Sequence, residues 1–314
     1  MNGNASPVHT IKFLIFSFQF SIKAYLCFMN TMFDLQQYAL QALKDTYSEH
    51  EIKTLCSLSF CKLLPGTNID IHLKKYEFLD KSFIDKFMEI VEELKTNKPI
   101  QYILGETEFA GIDFQLNNDT LIPRPETEEL VMWVVESGVC PGASVLDVGT
   151  GSGCIIVSLG KFLKDARLYG VDISPEAVQQ AAENARKNGV KVVFEVRDVL
   201  HYETWEWPRL DVIVSNPPYV RESEKSFMHE RVLDYEPARA LFVPDGDPLM
   251  FYRKIAELGT RCLCSGGWLF FEINETLGKE TVLLLQNMGY REVELRKDIN
   301  ERDRMVRAKW ILPA

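Results

Sequence analysis

A regular alternation of short apolar runs with longer helical segments, beginning at Ala143, is the feature that most restricts how this chain can fold. The segments SPEAVQQAAENARKNG and DPLMFYRKIAELGTRCL lie between such runs and have a helical pattern. Strands that alternate with helices form a parallel sheet, because each helix carries the chain back across one face of it. We therefore predict an α/β fold in which helices cover both faces of a mostly parallel sheet. Its strands are expected in the runs SVLDVG, RLYGVDI, VVFEVRD, LDVIVSN and WLFFEIN.

The C-terminal end of the chain has a different pattern. The runs YREVELRKDI and DRMVRAKWIL are joined by the polar turn Asn300 to Arg302. A short polar turn between two extended runs is typical of an antiparallel hairpin. We expect this hairpin at one edge of the sheet.

The N-terminal part of the chain is helical in pattern from Asp34 to about Asn97. Asp34 and Ser82 are the predicted N-caps of two of its helices. Pro99 should end the last helix, and Gly105, Gly111 and the pair Asn117-Asn118 then provide turn signals between extended runs. The sequence thus predicts a small helical domain over residues 32–98, a β-hairpin linker over 99–125 and the α/β domain over 126–314, with a helix starting at Glu126.

Residues 1–31 precede this pattern, and their role is left open. The stretch Ile11 to Phe28 is apolar and aromatic, so a signal or membrane segment is one interpretation. Lys23 interrupts the stretch, however, and the spans between its lysines are too short for a bilayer core. We favour an extension upstream of a start at Met29 or Met32.

Composition excludes several classes of protein. The chain has 46% hydrophobic and 25% charged residues, which is typical of soluble globular proteins and not of disordered ones. Its net charge of −10 provides no general attraction to nucleic acid or to an anionic membrane. The seven cysteines form no C-x-x-C pair, which favours reduced thiols, no bound metal and a cytoplasmic location.

A glycine-rich loop follows the first predicted strand of the α/β domain and precedes a helix. It reads Asp147-Val148-Gly149-Thr150-Gly151-Ser152-Gly153. Glycines allow close approach of a ligand, and the first turn of a helix offers free N–H groups to it. A dinucleotide fingerprint would need glycine where the chain has Cys154, and no G-K-[ST] of a P-loop is present. The spacing instead resembles the S-adenosylmethionine loop of class I methyltransferases.

Acidic residues follow the next two predicted strands. Asp172 ends one of them, just before Ser174, which can cap a helix that Pro175 begins. A carboxylate at this position can accept hydrogen bonds from both hydroxyls of a ribose. Asp198 and Val199 follow the third strand, where an acid and an apolar neighbour suit an adenine ring. Each acid could equally be an ordinary capping or turn residue.

The fourth strand is followed by Asn216-Pro217-Pro218-Tyr219. An amide or aromatic amino nitrogen is planar with a delocalised lone pair, so its NH2 group must be held in place for attack on a methyl group. The Asn216 side-chain oxygen and the Pro217 carbonyl can accept its two hydrogens. The two prolines stiffen the loop, and the Tyr219 ring offers a face for stacking or a cation-π contact. A simple turn at the end of a strand is the alternative interpretation.

Together these motifs closely resemble the HemK/PrmC family of N5-glutamine methyltransferases. The resemblance also rests on PIQYILGETEFAG, LIPRPETEELV and YEPARALFVPDGD, and it covers nearly everything after about Met32. It implies a class I, Rossmann-like fold, and methylation of the glutamine in the Gly-Gly-Gln motif of class 1 peptide chain release factors. S-adenosylmethionine would be the methyl donor and S-adenosylhomocysteine the product. The helical domain would recognise the substrate.

The resemblance also implies roles for residues. Asn216, Pro217, Pro218 and Tyr219 would hold the glutamine amide, with Asn216, Pro217 and Tyr219 as catalytic residues. Thr127 and Glu128 would line the entrance, unless they simply begin a helix. Val199 departs from members that place a large aromatic there, which puts the tightness of the adenine contact in doubt. The cofactor would contact Asp147, Gly149, Thr150, Gly151, Ser152, Gly153, Asp172, Asp198, Val199 and Asn216.

Two other functions remain open at this point. A nucleic-acid adenine or cytosine N-methyltransferase would use the same Asn-Pro-Pro-Tyr chemistry, but it should carry a basic region and must extract its base from the stack. A relative that only binds S-adenosylmethionine or a partner is the non-enzymatic alternative. The net charge disfavours the first, and the intact Asn216 to Tyr219 motif disfavours the second.

Overall fold

The computed structural model describes residues 30–64 and 68–312. They divide into two compact units, one ending at Leu104 and the other beginning at Gly105. The apolar stretch Ile11 to Phe28 and Cys27 within it lie outside the described residues. No helix within the described ranges is both long and apolar enough to cross a membrane.

The described part of the first unit contains five helices. Its core is formed by side chains at helical spacing such as Leu35 and Phe87, both almost fully buried. Phe60 stacks on Phe87 with ring centroids 4.9 Å apart. The helices predicted between Asp34 and Asn97 are confirmed. The five are α1 (Met32–Leu43), α2 (Glu49–Leu63), α3 (Asn68–Leu73), α4 (Lys81–Leu94) and α5 (Ile100–Leu104).

Both predicted N-caps in this unit were wrong by a few residues. Thr31 caps α1, because its backbone is extended and its hydroxyl accepts from the N–H of Asp34, whose carboxylate bonds back to Thr31. Asp80 caps α4 in the same way, since its Oδ1 accepts from Phe83 N at 2.8 Å. Ser82 lies inside that helix.

The segment predicted as a β-hairpin linker is divided between the two units. Ile100 to Leu104 is helical, and Ile100 is buried in the core of the first unit. The hairpin follows as β1 (Glu106–Phe109) and β2 (Ile112–Gln115), which pair antiparallel. Phe109 and Phe114 are fully buried in the second unit, so the hairpin is part of that unit's core and not a free connection.

The second unit contains a seven-stranded sheet formed by β3 (Ser144–Val148), β4 (Arg167–Asp172), β5 (Val192–Val196), β6 (Leu210–Ser215), β9 (Leu263–Glu272), β10 (Arg291–Lys297) and β11 (Asp303–Lys309). The strand order is β10-β11-β9-β6-β3-β4-β5. The five neighbouring strands β9, β6, β3, β4 and β5 run parallel to one another. Strand β11 pairs antiparallel with β9, and β10 pairs antiparallel with β11 at the edge of the sheet. The predicted α/β fold with its C-terminal hairpin is confirmed.

Helices and short segments complete this unit. The helix predicted from Glu126 begins one residue earlier, at Pro125. Proline suits the first helical position, because the N–H that it lacks would have no hydrogen-bond partner within the helix there. A small pair of strands, β7 (Val220–Arg221) and β8 (Phe242–Val243), lies outside the main sheet. Short 3-10 segments span Val199–Thr204, Glu222–Phe227 and Ala238–Ala240, and the first of them is kinked at His201. The helices are α6 (Pro125–Glu136), α7 (Cys154–Phe162), α8 (Pro175–Lys187), α9 (Glu230–Tyr235), α10 (Met250–Cys262) and α11 (Gly278–Asn287).

The strand order creates a switch point in the sheet. From β3 the chain proceeds outward through β4 and β5, and it then returns to add β6 on the other side of β3. At such a point the connections leave the sheet in opposite directions and open a crevice at the carboxyl ends of the strands. The glycine-rich loop follows β3, and Asn216 follows β6 directly beside it.

Candidate active site

The glycine-rich loop needs its glycines for conformation and for packing. Gly149, Gly151 and Gly153 have φ values of +74°, +52° and +80°, in a region that other residues rarely adopt. A Cβ at Gly153 would lie only 3.1 Å from the Cβ of Ala181 in α8. The loop leads directly into α7, whose N-terminus lies at the edge of the crevice and has no side-chain cap.

Asp147 lies beneath this loop and not in the wall of the crevice. Its side chain is fully buried, and its Oδ2 accepts a hydrogen bond from the Thr150 hydroxyl at 2.7 Å. Burial, reinforced by the nearby charge of Asp172, raises the pKa of Asp147 to about 7. The structure thus places Asp147 where it orders the loop from below.

This pKa predicts an unusual dependence of stability on pH. The folded protein holds the Asp147 proton up to about pH 7, whereas the ordinary carboxyl pKa is 3.8. Because the folded state binds more protons between these values, the free energy of unfolding should fall as pH rises from about 4 to about 7. Asp147→Asn should flatten this part of the curve in urea unfolding followed by circular dichroism. Asp211→Asn is the control, and parallel curves for wild type and Asp147→Asn would contradict the prediction.

Asp172 lies at the end of β4 and faces the crevice. Its Oδ2 accepts from Gly151 N at 2.9 Å and its Oδ1 from Ser174 N at 3.0 Å. Burial raises its pKa, while these hydrogen bonds and the charge of Arg239 act in the opposite direction. The predicted capping by Ser174 and the start at Pro175 are confirmed, so α8 does not need Asp172 as its cap. The carboxylate also ties the second strand end to the glycine-rich loop.

Asp198 acts as a capping residue in the turn after β5, which was the alternative to a role in adenine binding. Its Oδ1 accepts from Leu200 N at 2.9 Å, and its Oδ2 lies 2.7 Å from Nδ1 of His201. Asp198 and Val199 both line the crevice. A contact of either residue with adenine stays a prediction.

Asn216 is held by a chain of hydrogen bonds that reaches the end of β9. Its Nδ2 donates to the Thr127 hydroxyl at 3.2 Å, and that hydroxyl donates to Glu272 Oε2 at 2.6 Å. The Tyr219 hydroxyl donates to the other oxygen of Glu272, Oε1, at 3.0 Å. No described residue donates to Asn216 Oδ1. Pro217 and Pro218 line the crevice beside Asn216, whereas Tyr219 is tied to Glu272 and does not.

The crevice encloses a cavity of about 260 Å³. Most residues that the sequence singled out line it: Gly149, Thr150, Gly151, Ser152, Asp172, Asp198, Val199, Asn216, Pro217, Pro218 and Thr127. Asp147, Gly153, Tyr219 and Glu128 do not. Other segments complete the wall with Thr120, Leu121, Arg239, Phe251 and Ile255.

Two residues at this site, Arg239 and Glu272, were not predicted from the sequence. Arg239 reaches the cavity from the turn after α9, where its Nη2 donates to Ser174 Oγ at 2.8 Å. Its only signal was its place in YEPARALFVPDGD, one of the segments that carry the family resemblance. Glu272 could have been found from the sequence, because it is an acid near the end of the apolar run WLFFEIN. That run forms the strand beside β6, and Asn216 follows β6.

The residues around the cavity suit S-adenosylmethionine. The Asp172 carboxylate provides charged acceptors for ribose hydroxyls, and Val199, Leu200 and Ile173 provide an apolar wall for a flat ring. The Asp172 carboxylate lies in the wall of the cavity, which favours a ligand that carries positive charge. A sheet of this order, with such a cavity at its switch point, defines the protein as a class I S-adenosylmethionine-dependent methyltransferase.

Comparison with known proteins narrows this class. A model described as "Methyltransferase domain" matches residues 140–311, and one described as "PrmC N-terminal domain" matches residues 34–105. A third, "Protein-L-isoaspartate(D-aspartate) O-methyltransferase (PCMT)", matches residues 71–203 and ends before Asn216. The third match therefore includes the glycine-rich loop and the two acids but not the Asn-Pro-Pro-Tyr motif.

Relatives named "Release factor glutamine methyltransferase" match most of the chain. The one from Flavobacterium psychrophilum is 44% identical over 86% of this chain and 96% of its own length. The one from Bacteroides thetaiotaomicron is also 44% identical, over 86% of this chain and 97% of its own. A solved methyltransferase from Pyrococcus furiosus aligns with a TM-score of 0.48 at 17% identity, over 64% of this chain and 90% of that one. The chain belongs to the release factor glutamine methyltransferase family.

Proposed function

We propose that this protein transfers a methyl group from S-adenosylmethionine to the side-chain amide nitrogen, N5, of the glutamine in the Gly-Gly-Gln motif of class 1 peptide chain release factors. The observation that carries the proposal is the placement of Asn216 beside the cofactor loop. Its side chain is held by Thr127, and it lines the cavity together with Pro217. The names of the relatives support the same substrate.

The chemistry of an amide explains why this arrangement suits glutamine. The amide nitrogen is a weak nucleophile, because its lone pair is shared with the carbonyl group. Acceptors that face both N–H bonds hold the group in plane and stabilise the positive charge that develops on nitrogen. Asn216 Oδ1 and the Pro217 carbonyl would be these acceptors, and Pro218 would keep their loop rigid. Tyr219 would support the loop through its bond to Glu272.

The cofactor would lie along the edge of the sheet. S-adenosylmethionine would supply the methyl group: its S–CH3 bond breaks, an N–CH3 bond forms on the glutamine nitrogen, that nitrogen releases one proton to water, and S-adenosylhomocysteine leaves. Gly149 to Gly153 would hold its methionine part, with Asp147 ordering the loop. Asp172 would bind the ribose, Asp198 and Val199 the adenine, and Asn216 would contact both cofactor and substrate.

The remaining features fit a protein substrate. The helical domain, predicted over residues 32–98, would recognise the release factor. We place the enzyme in the cytoplasm, where translation termination occurs, with no metal and no direct role for membranes or nucleic acid. The net charge of −10 is consistent with a protein substrate and opposes binding of bulk DNA.

The proposal is tested by methyl transfer from labelled S-adenosylmethionine to three substrates. These are a purified class 1 release factor, the same factor with Gln→Ala in Gly-Gly-Gln, and duplex DNA. We expect label on the intact factor alone, with mass spectrometry locating it on the glutamine side chain. Label on DNA would support an adenine or cytosine N-methyltransferase, and equal label on the mutant factor would exclude the glutamine assignment.

A further inference from the structure

Glu272 is a buried carboxylate with no ion-pair partner among the residues that the structure describes. Its side chain is 1% exposed at the carboxyl end of β9. The charge of Arg304 acts on it, but the Arg304 guanidinium is bonded to Asp298 and Glu275. Burial of a carboxylate without an ion pair destabilises a fold, so a residue of this kind is best explained by a role in the site.

The hydrogen bonds around Glu272 have a defined direction. An ionised carboxylate only accepts hydrogen bonds, and it accepts from Thr127 at 2.6 Å and from Tyr219 at 3.0 Å. The Thr127 hydroxyl has a single proton, which it donates to Glu272. While Glu272 is ionised, the Thr127 oxygen can therefore only accept from Asn216, in agreement with the NH2 group of Asn216 facing Thr127 at 3.2 Å.

We propose that Glu272 is a positioning residue which, through Thr127, orients the Asn216 carboxamide so that Oδ1 faces the substrate. The inference rests on the proposed function, since a substrate amide presents N–H donors and needs an acceptor. With the carboxamide turned over, the NH2 group of Asn216 would face the NH2 group of the glutamine, and two donors would oppose each other.

The position of Glu272 in the sheet supports this role. Burial raises the pKa of Glu272 on balance, while the hydrogen bonds from Thr127 and Tyr219 and the charge of Arg304 act in the opposite direction. Parallel pairing of β6 with β9 aligns Ser215 with Phe271, which places Glu272 next to Asn216 in the neighbouring strand end. The contact between the two residues through Thr127 thus joins three separate segments of the second unit.

Three variants and one matched control test the inference. Glu272→Gln keeps the shape but can donate as well as accept, so both orientations of Asn216 become available. Thr127→Val removes the hydroxyl, while Thr127→Ser retains it. Thr281→Val removes another buried hydroxyl, which donates to Leu277 O at 2.8 Å in α11, away from the cavity.

The readouts are kcat and KM for the release factor, the Kd of S-adenosylmethionine by calorimetry, and Tm. Glu272→Gln and Thr127→Val should lower kcat by about 10- to 100-fold with an unchanged cofactor Kd. Thr127→Ser should recover most of kcat, and Thr281→Val should retain it. The Tm of Glu272→Gln should equal or exceed that of wild type, because a buried charge has been removed.

A wild-type kcat in Glu272→Gln would overturn the inference while leaving the proposed function intact. Equal losses in activity, cofactor binding and Tm would also overturn it, because they would show that Glu272 only supports the fold. If the wild-type enzyme transferred no methyl group to the release factor, the proposed function and the inference would fail together.

Discussion

Replacing Asn216 with alanine should lower kcat for release factor methylation by about 100- to 1000-fold, the range measured when one oriented transition-state partner is removed. The physical reason is that Asn216 Oδ1 would bind the amide most strongly when positive charge develops on its nitrogen. Alanine removes that acceptor, whereas the glycine-rich loop and Asp172 remain in place. Binding of S-adenosylmethionine, measured by calorimetry, should change far less than kcat.

Two further variants test whether the loss of activity is specific to the position of the Asn216 amide. Asn216→Gln retains an amide but moves it by one methylene group, so it should be nearly as inactive as alanine. Asn188→Ala removes an asparagine side chain whose Nδ2 donates to Asp113 O at 3.1 Å outside the cavity, and it should keep wild-type kcat. Full activity of Asn216→Ala would contradict the proposed catalytic role. Inactive wild type with intact cofactor binding would favour the non-enzymatic alternative.

Replacing Asp172 with asparagine should raise the Kd of S-adenosylmethionine by about 10- to 100-fold, since a hydrogen bond to a charged group contributes about 1.5–3 kcal/mol. The variant keeps the size of the side chain and one acceptor oxygen. It loses the negative charge and one of the two carboxylate oxygens. In the wild type, these oxygens accept from Gly151 N and Ser174 N and would also accept from the ribose hydroxyls. At saturating cofactor, kcat should approach the wild-type value, because Asp172 is not proposed to contact the substrate amide.

The control for this prediction is Asp211→Asn. Asp211 also lies in a strand and accepts a backbone hydrogen bond, from Ser144 N at 2.8 Å, but it does not line the cavity. Its substitution should leave the cofactor Kd unchanged. If Asp172→Asn bound S-adenosylmethionine as well as wild type does, Asp172 would be a purely structural acid, and the ribose would have to bind elsewhere.

The fold of the second unit followed from local patterns because each strand and helix carries its own signal. Apolar runs such as SVLDVG are short and continuous, as strands buried on both faces must be, and the intervening segments have helical spacing. The larger errors concerned the first unit and the linker, where Ile100 to Leu104 is helical and two N-caps were misplaced. Thr31 and Asp80, and not Asp34 and Ser82, cap their helices, because capping depends on backbone angles that a residue type only favours.

The candidate site was predictable to the extent that its residues follow strands. Parallel strands end at or just before each of these groups, and their carboxyl ends meet at one edge of the sheet. The groups are the loop from Gly149 to Gly153, Asp172, Asp198 and Asn216. Their location at strand ends was therefore enough to predict that they lie close together. Whether a side chain then faces the cavity was not predictable, as Asp147 and Tyr219 demonstrate by facing other protein groups.

The amino-acid sequence alone therefore determined the class of fold, the order of the cofactor and acceptor motifs, and the family to which they point. Those properties depend on residue type and short spacing, which local steric and hydrogen-bonding preferences translate into structure. The tertiary structure decided the rest: that Arg239 and Phe251 complete the cavity, and that Glu272 reaches Asn216 through Thr127. Thr127, Asn216 and Glu272 are far apart in the chain, so only the packing of α6 against the ends of β6 and β9 could bring their side chains within hydrogen-bonding distance.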